Sequence, residues 1–240
     1  MYQSSSILII LFLDEDALDC KETKVNVLDL FKTPNMRKNT LITYFNWFSV
    51  AFVYYGLTLN ADMLIPGNMY INFCVSGLIE FPAYIFCLVI IHFLGRKNPL
   101  ALLLLSSSLI LLLTIGIESP VTMLAVVSMG KFGIICVFAI IHLHAAELFP
   151  TVLRTTGMGS ASVFARFGSM LAPVVGRELG KVHPIATIVI FAFLSMIAGF
   201  LTLWLPETRG LKMIDTIEEA EALKRDILNL RQFRDCVQTT

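Results

Sequence analysis

Long apolar segments alternate with short polar segments along most of this chain. A bilayer core of about 30 Å is crossed by about 20 apolar residues in a helix, and six segments reach this length. They are residues 40–60, 70–93, 99–117, 121–143, 157–176 and 184–205. The breaks between them carry Gly, Pro or charged residues, as helix ends usually do. The pattern therefore predicts an all-α membrane protein with six transmembrane helices.

The composition agrees with this prediction. Hydrophobic residues make up 56% of the chain and charged residues 15%, whereas a soluble domain averages about 25% charged residues. A formal net charge of zero argues against a nucleic-acid partner. The five cysteines form no C-x-x-C pair and are interpreted as small apolar residues. The apolar run Ile7–Leu13 is too short to span a membrane and is not predicted to be a signal peptide.

The distribution of lysine and arginine predicts the orientation. Fourteen of the 18 basic residues lie on one side of the predicted spans, and only Arg177 and Lys181 lie on the other side. Basic residues concentrate in cytoplasmic segments, so both termini are predicted to be cytoplasmic. We expect a cytoplasmic segment 1–39, a six-helix bundle 40–206 and a cytoplasmic, partly helical tail 207–240.

Charged residues inside the spans are few and unevenly distributed. Glu80 lies in span two, Lys131 in span four and Arg166 in span five, whereas spans three and six carry none in their interiors. A charge at the bilayer centre costs roughly 2.5–3.5 kcal/mol and usually faces a protein interior or a water-filled cavity. This uneven distribution predicts that some spans line a cavity and others face lipid. Because two spans with polar or aromatic residues are followed by an uncharged span twice along the chain, it also predicts a three-plus-three repeat.

Span one is aromatic instead of charged. Phe48, Phe52 and Tyr55 share one helical stripe, and Trp47 and Tyr54 lie on an adjacent stripe. Two interpretations stay open for these side chains. They either pack against other helices or form an aromatic wall whose π faces hold a cation.

Two prolines fall inside predicted spans, Pro82 in span two and Pro173 in span five. Each removes a backbone hydrogen bond and is expected to bend its helix. The sequence leaves open whether such a bend serves packing alone or gates a cavity.

The segments between the spans resemble those of one transporter family. Residues 145–157 read AAELFPTVLRTTG, which resembles the loop between the tenth and eleventh helices of organic cation, carnitine and organic anion transporters of the major facilitator superfamily. Further similar segments, in the family's order, are Asn46–Phe48, Tyr54–Asn60, Glu80–Tyr84, Gly130–Gly133, Pro206–Thr208 and Asp215–Glu221. The resemblance covers about residues 25–222. It implies that the six spans correspond to helices seven to twelve, of which seven, eight, ten and eleven line the central cavity.

The chain departs from the family pattern in three ways. The stretch His92–Lys97 lacks the acidic residue that usually precedes Gly-Arg-Arg, so an acidic partner for a charge latch is missing. Tyr84 stands where organic anion transporters often carry Lys, and we count it among the substrate contacts. The family's first six helices have no counterpart in the chain, so the resemblance implies a partner, either an amino-terminal half or a second chain.

Arg166 matches a position where organic anion and carnitine transporters carry Arg and organic cation transporters carry Asp. This resemblance implies a bidentate contact with a substrate carboxylate. A quaternary ammonium on the same substrate would then lie against Trp47, Tyr54 or Tyr55. The alternative is a structural ion pair inside the bundle, with Glu80 as the partner.

The other charged residues are predicted to have structural or gating roles. Glu80 and Lys131 are expected to pair with each other across helices. Glu147 and Arg154, at the cytoplasmic end, are expected to form a charge cluster that stabilises a gate, and Arg96 belongs to the same gating group. The alternative for this end of the bundle is a solvated loop.

Neither an enzyme nor a metal or cofactor site is expected. His142 and His144 are two residues apart, about 200° around a helix, and the chain has no phosphate-binding glycine loop, nucleophile elbow or H-E-x-x-H motif. We predict plasma-membrane transport of small organic ions by alternating access, with carnitine-like zwitterions or organic anions favoured over simple cations. The alternative is a truncated, non-transporting membrane protein that needs a partner half.

Overall fold

The computed structural model describes residues 27–60, 68–117, 119–182 and 184–208. All regular structure within these residues is helical. Two short 3-10 helices, Val27–Phe31 and Thr114–Gly116, accompany seven α-helices. These are α1 (Pro34–Leu59), α2 (Met69–Leu78), α3 (Glu80–Leu94), α4 (Lys97–Leu113), α5 (Pro120–Leu148), α6 (Thr151–Val182) and α7 (Pro184–Thr202). The predictions for Ile7–Leu13, for Asp215–Glu221 and for a partly helical tail fall outside the described residues.

Every predicted span coincides with helical structure, and the predicted all-α membrane fold is confirmed. Five stretches of the described residues are long and apolar enough to cross a membrane, and the second of the six predicted spans is divided into α2 and α3. The five are Tyr70–Leu94, Lys97–Gly116, Val121–Leu148, Thr151–Lys181 and Ile185–Thr202. Helix α1 is long enough to cross a membrane, at 26 residues, but its mean hydropathy is lower than that of the five. Its tyrosines, Asn46 and Trp47 lower this value, whereas the other spans are richer in aliphatic residues.

The break in span two follows from Pro82. Proline has no backbone N–H, and its ring clashes with the carbonyl of the residue four positions earlier, here Leu78. Helix α2 ends at Leu78, and helical bonding resumes where Ala83 N donates to Ile79 O at 3.3 Å. The helix is therefore interrupted at Ile79, three residues before Pro82, within one continuous apolar stretch. Helix α6, in contrast, continues through Pro173 without interruption.

Close helix packing holds the bundle together. Helix α1 packs mainly on α6 and also on α5 and α7, α4 packs on α5 and α7, and α3 packs on α5. The buried stripe of α6 consists largely of small residues, and a Cβ atom at Gly168 would lie only 2.5 Å from the Phe48 carbonyl oxygen. Small residues let helix backbones approach closely in a membrane, so α1 and α6 touch along their backbones.

Two of the spans are much less buried than the rest. Only 17% of the most apolar stretch is buried in Tyr70–Leu94 and in Thr151–Lys181, compared with 44% to 56% in the other three. Large apolar side chains stand exposed on both, including Phe81 and Leu88 on α3 and Phe167 on α6. These two spans, which also carry Glu80 and Arg166, therefore present the most open faces of the bundle.

Candidate functional site

A partly buried ion pair lies at the break in span two. Lys131 on α5 is only 3% exposed, and its Nζ lies 3.4 Å from Glu80 Oε1 on α3. The same Nζ donates to the Ser76 carbonyl oxygen at 3.0 Å and to the Ser76 hydroxyl oxygen. The last four carbonyls of a helix lack helical partners, and Ser76 is one of these residues in α2. The predicted Lys131–Glu80 pair is confirmed, whereas the role of Ser76 was not predicted.

Tyr54 on α1 completes this buried cluster. Its hydroxyl donates to Glu80 Oε1 at 2.9 Å, and its ring centroid lies 5.5 Å from Lys131 Nζ. The Tyr55 ring packs edge-on against the Tyr54 ring, with the centroids 5.2 Å apart. One face of Tyr54 is therefore already occupied by the chain's own cation. Tyr55 is 37% exposed and Tyr84, one turn beyond Glu80, is 48% exposed, so these two rings remain open.

The structure does not place Trp47 on an open aromatic wall. Trp47 is only 5% exposed, and its ring lies against His142 with the centroids 4.4 Å apart. His142 Nδ1 is in turn 2.7 Å from the Phe138 carbonyl oxygen. These contacts favour the helix-packing interpretation for Trp47. The wall predicted from span one is thus reduced to Tyr54 and Tyr55.

Arg166 stands on the outer stripe of α6. It is exposed, as are Phe167 and Met170 beside it. Gly168 faces α1, and Arg166, two residues earlier, lies about 200° around the helix on the far side. Among the described residues no carboxylate lies within ion-pair distance of its guanidinium. The alternative of an Arg166–Glu80 pair is therefore wrong, since Glu80 binds Lys131 instead.

A second charge cluster joins the ends of the helices on the side predicted to be cytoplasmic. Arg96 Nε, before α4, lies 3.0 Å from Glu147 Oε1 near the end of α5. The Thr208 hydroxyl donates to Glu147 Oε2 at 2.6 Å. Of the predicted gating residues, the structure joins Glu147 to Arg96, whereas no ion pair of Arg154 occurs among the described residues.

Glu207 belongs to the same cluster and caps α4. Its Oε1 accepts from Arg96 N at 3.1 Å and from Lys97 N at 3.4 Å, which are donors at the start of α4 that need a partner. A carboxylate here also interacts favourably with the helix dipole. Gly95 makes the turn with φ of 88°, a conformation that favours glycine. Glu147 and Glu207 thus supply the carboxylates that the stretch before Arg96 lacks.

The sequence offered a signal for Glu207 and Thr208 that its interpretation did not use. Both residues belong to the segment Pro206–Thr208, directly after the last span, which contributed only to the family resemblance. Glu207 contacts Arg96, 111 positions earlier in the chain, and Thr208 contacts Glu147, 61 positions earlier. No short-range motif predicts contacts at such distances.

The two histidines of α5 lie in different surroundings, as their spacing predicted. His142 contacts Trp47, while His144 is buried near the Thr208 hydroxyl, with 3.4 Å between Nδ1 and Oγ1. Within the part of the chain that the structure describes, no three His, Cys, Asp or Glu side chains are grouped so that they could hold a metal ion. Their contacts give both histidines a role in packing.

Comparisons with known proteins agree with the architecture. The family model described as Major Facilitator Superfamily matches residues 28–234. The chain is 39% identical over 217 residues to Solute carrier family 22 member 1 of Bos taurus, which covers 90% of this chain and 38% of the relative. It is 37% identical over 209 residues to Organic cation transporter protein of Drosophila melanogaster, covering 86% of this chain and 38% of that protein.

A nematode relative gives the same picture. Organic cation transporter 1 of Caenorhabditis elegans is 38% identical over 211 residues, covering 86% of this chain and 36% of the relative. The chain therefore spans less than two fifths of the length of these relatives, although the similarity extends over most of its own length.

Proposed function

Because this chain belongs to the major facilitator superfamily, we propose that it forms the carboxy-terminal six-span half of a transporter of small organic ions. Such transporters work by rocking two halves around a site near the bilayer midplane. The open faces of α2–α3 and of α6 support this proposal, because a second half would cover them. We place both termini in the cytoplasm and the protein in the plasma membrane.

The charge balance inside the bundle supports a substrate that carries a carboxylate. Lys131 and Glu80 neutralise each other at 3.4 Å, whereas Arg166 has no carboxylate partner among the described residues. On an open face, Arg166 is thus a positive charge that no described carboxylate neutralises, and this is the observation that carries the proposal. A guanidinium binds a carboxylate through two parallel hydrogen bonds.

A zwitterion would use the exposed tyrosines as well. Tyr55 and Tyr84 have open rings, and tyrosine faces attract quaternary ammonium groups. Tyr54 is a secondary contact, because the Lys131 ammonium lies near its ring. We therefore favour carnitine-like zwitterions or organic anions over simple cations. Arg166 remains the primary substrate contact in this proposal.

Uptake by a chimera tests the proposal. The part of the Drosophila Organic cation transporter protein that precedes the matched region is joined to this chain, and the fusion is reconstituted in proteoliposomes. Labelled carnitine, a labelled monocarboxylate and labelled tetraethylammonium are offered separately. We expect the first two to accumulate faster than tetraethylammonium. Uptake of tetraethylammonium alone would contradict the proposed substrate class.

A second candidate is a non-transporting membrane protein that associates with a partner. It is favoured by the two open faces, which a partner would cover. Proteoliposomes that hold only the 240-residue chain and a mass measurement in detergent test it. Absence of uptake, together with a dimeric mass, would favour this candidate over transport by the chain alone.

A further inference from the structure

A groove of 330 Å³ lies between the amino end of α1 and the carboxy end of α7. Its two parts differ in chemistry. Arg37 and Lys38 line one part, whereas Leu41, Leu201 and Trp204 line the other. The groove lies at the end of the bundle, away from the buried cluster around Lys131, and it has no part in the proposed transport site.

The basic part of this groove lies near no described carboxylate that would balance its charge. Arg37 and Lys38 are exposed, and neither forms an ion pair with any residue that the structure describes. Both belong to the first five residues of α1, where the positive end of the helix dipole makes cations unfavourable. The first turn of α1 contains no acidic residue, and Thr33 makes no side-chain capping bond. Arg37, Lys38 and the positive end of the helix dipole together create a positive potential, which favours binding of an anion.

The apolar part of the groove is suited to the edge of a membrane. Trp204 is 65% exposed and Leu41 is 54% exposed, and Lys38 Nζ lies 5.4 Å from the centre of a Trp204 ring. Exposed tryptophans are enriched at the level of the lipid headgroups. We therefore expect the Lys38 ammonium at headgroup depth, with Leu41 and Leu201 on the side toward the hydrocarbon.

We infer that this groove binds an anionic phospholipid. The headgroup phosphate contacts Arg37 and Lys38, and an acyl chain lies along Leu41 and Leu201. A free phosphate ion would use the two charges but would leave the apolar floor without a ligand. The site faces the leaflet at the amino end of α1, which is cytoplasmic under the orientation proposed above. Anionic lipids are abundant in that leaflet and attract basic clusters next to spans.

Quenching of tryptophan fluorescence by brominated lipids tests the inference. The full chain is placed in phosphatidylcholine nanodiscs that contain increasing fractions of dibrominated phosphatidylglycerol or, in parallel, dibrominated phosphatidylcholine. We expect phosphatidylglycerol to quench at a much lower mole fraction. Substituting Trp204→Phe should remove this preferential signal, because the chain's other tryptophan, Trp47, is buried in the bundle.

Paired charge variants identify the site. The double substitution Arg37→Gln and Lys38→Gln should raise the half-quenching fraction of brominated phosphatidylglycerol by roughly 30-fold. The matched control is Arg177→Gln with Lys181→Gln, which removes the same charge near the opposite ends of the spans and should leave that fraction unchanged. Far-UV circular dichroism checks that all variants keep their helical content.

Three results would overturn the inference. The first is equal quenching by the two brominated lipids, and the second is an equal effect of the two double substitutions. The third is relief of quenching by millimolar inorganic phosphate, which would show that the charges bind phosphate without the lipid. A wrong orientation would change only the leaflet, and the labelling experiment described below detects that error separately.

Discussion

The ammonium of Lys131 lies 3.4 Å from the carboxylate of Glu80, across the contact between α5 and α3. The same ammonium binds the carbonyl oxygen of Ser76 at the end of α2. One side chain therefore joins both sides of the break that Pro82 introduces into span two. A broken helix is tolerated at membrane depth when protein groups satisfy its free backbone atoms.

Substitution of Lys131 should lower the stability of the protein. Lys131→Met removes the ammonium from Glu80, which among the described residues keeps only its hydrogen bond from the Tyr54 hydroxyl, and leaves the Ser76 carbonyl without this donor. Since the Glu80 side chain is 28% exposed, we expect a loss of about 3 kcal/mol, the lower end of the cost of removing one partner of a buried ion pair. Glu80→Gln should cost less, because Lys131 keeps both of its bonds to Ser76. Unfolding of the purified protein in detergent, followed by circular dichroism, measures both.

Lys181→Met is the matched control for this prediction. Lys181 pairs with Glu178, but both side chains are more than half exposed, and exposed ion pairs contribute at most about 1 kcal/mol. Equal losses of stability for Lys131→Met and Lys181→Met would mean that the pair at the helix break does not stabilise the fold.

Two glycines of α6 should respond differently to alanine. A Cβ atom at Gly168 would lie 2.5 Å from the Phe48 carbonyl oxygen, whereas a Cβ atom at Gly159 meets nothing within 4 Å. Gly168→Ala should therefore separate α1 from α6 and destabilise the protein by about 1–3 kcal/mol. Gly159→Ala should be neutral or stabilising by up to about 1 kcal/mol. Melting temperatures in detergent compare them, and the reverse order would contradict the close approach of α1 and α6.

A double-mutant cycle tests the second charge cluster. Arg96→Gln and Glu147→Gln should show a coupling energy of about 1 kcal/mol, because the two side chains form an ion pair at 3.0 Å. The cycle of Arg154→Gln with Glu147→Gln should show coupling below about 0.5 kcal/mol. Chemical unfolding of the three single variants, the two double variants and the parent protein provides both values. Stronger coupling to Arg154 than to Arg96 would contradict the observed pairing.

Cysteine labelling tests the proposed orientation. Single cysteines replace Lys32, before α1, or Lys181, near the end of α6, in a chain whose native cysteines are replaced by alanine. Both lysine side chains are well exposed. A membrane-impermeant maleimide should label Lys181→Cys in intact cells and Lys32→Cys only after permeabilisation. The opposite pattern would reverse the orientation and move the lipid groove to the outer leaflet.

The helices were predictable because the membrane imposes one length on every span. The observed helices nevertheless extend beyond the apolar runs. Helix α6 covers Thr151–Val182, whereas the apolar run covered only 157–176, because the headgroup regions lengthen the path to about 40–45 Å and accept polar residues. The position of the break at Leu78 was missed, since a proline acts on the carbonyl four residues before it.

The candidate site was predictable only in part. Lys131 and Glu80 were paired correctly because few charges occur inside the spans and each needs a partner there. Arg96 and Glu147 were placed in one gating group but not paired, because several basic residues lie at that end of the bundle and the sequence does not rank them. For Trp47 the sequence left helix packing and an aromatic wall both open, because it does not show that His142, on another helix, covers its ring.

Uptake by the chimera carrying Arg166→Asp tests the proposed substrate role of Arg166 most directly. Rates for labelled carnitine, a monocarboxylate and tetraethylammonium are compared with those of the unsubstituted chimera, and Arg177→Asp serves as a charge control outside the proposed site. We predict that Arg166→Asp lowers the kcat/KM for carnitine and the monocarboxylate at least about tenfold, since a bidentate contact is replaced by repulsion, and raises tetraethylammonium uptake. Unchanged selectivity, or an equal effect of Arg177→Asp, would contradict the proposal that Arg166 binds the substrate carboxylate.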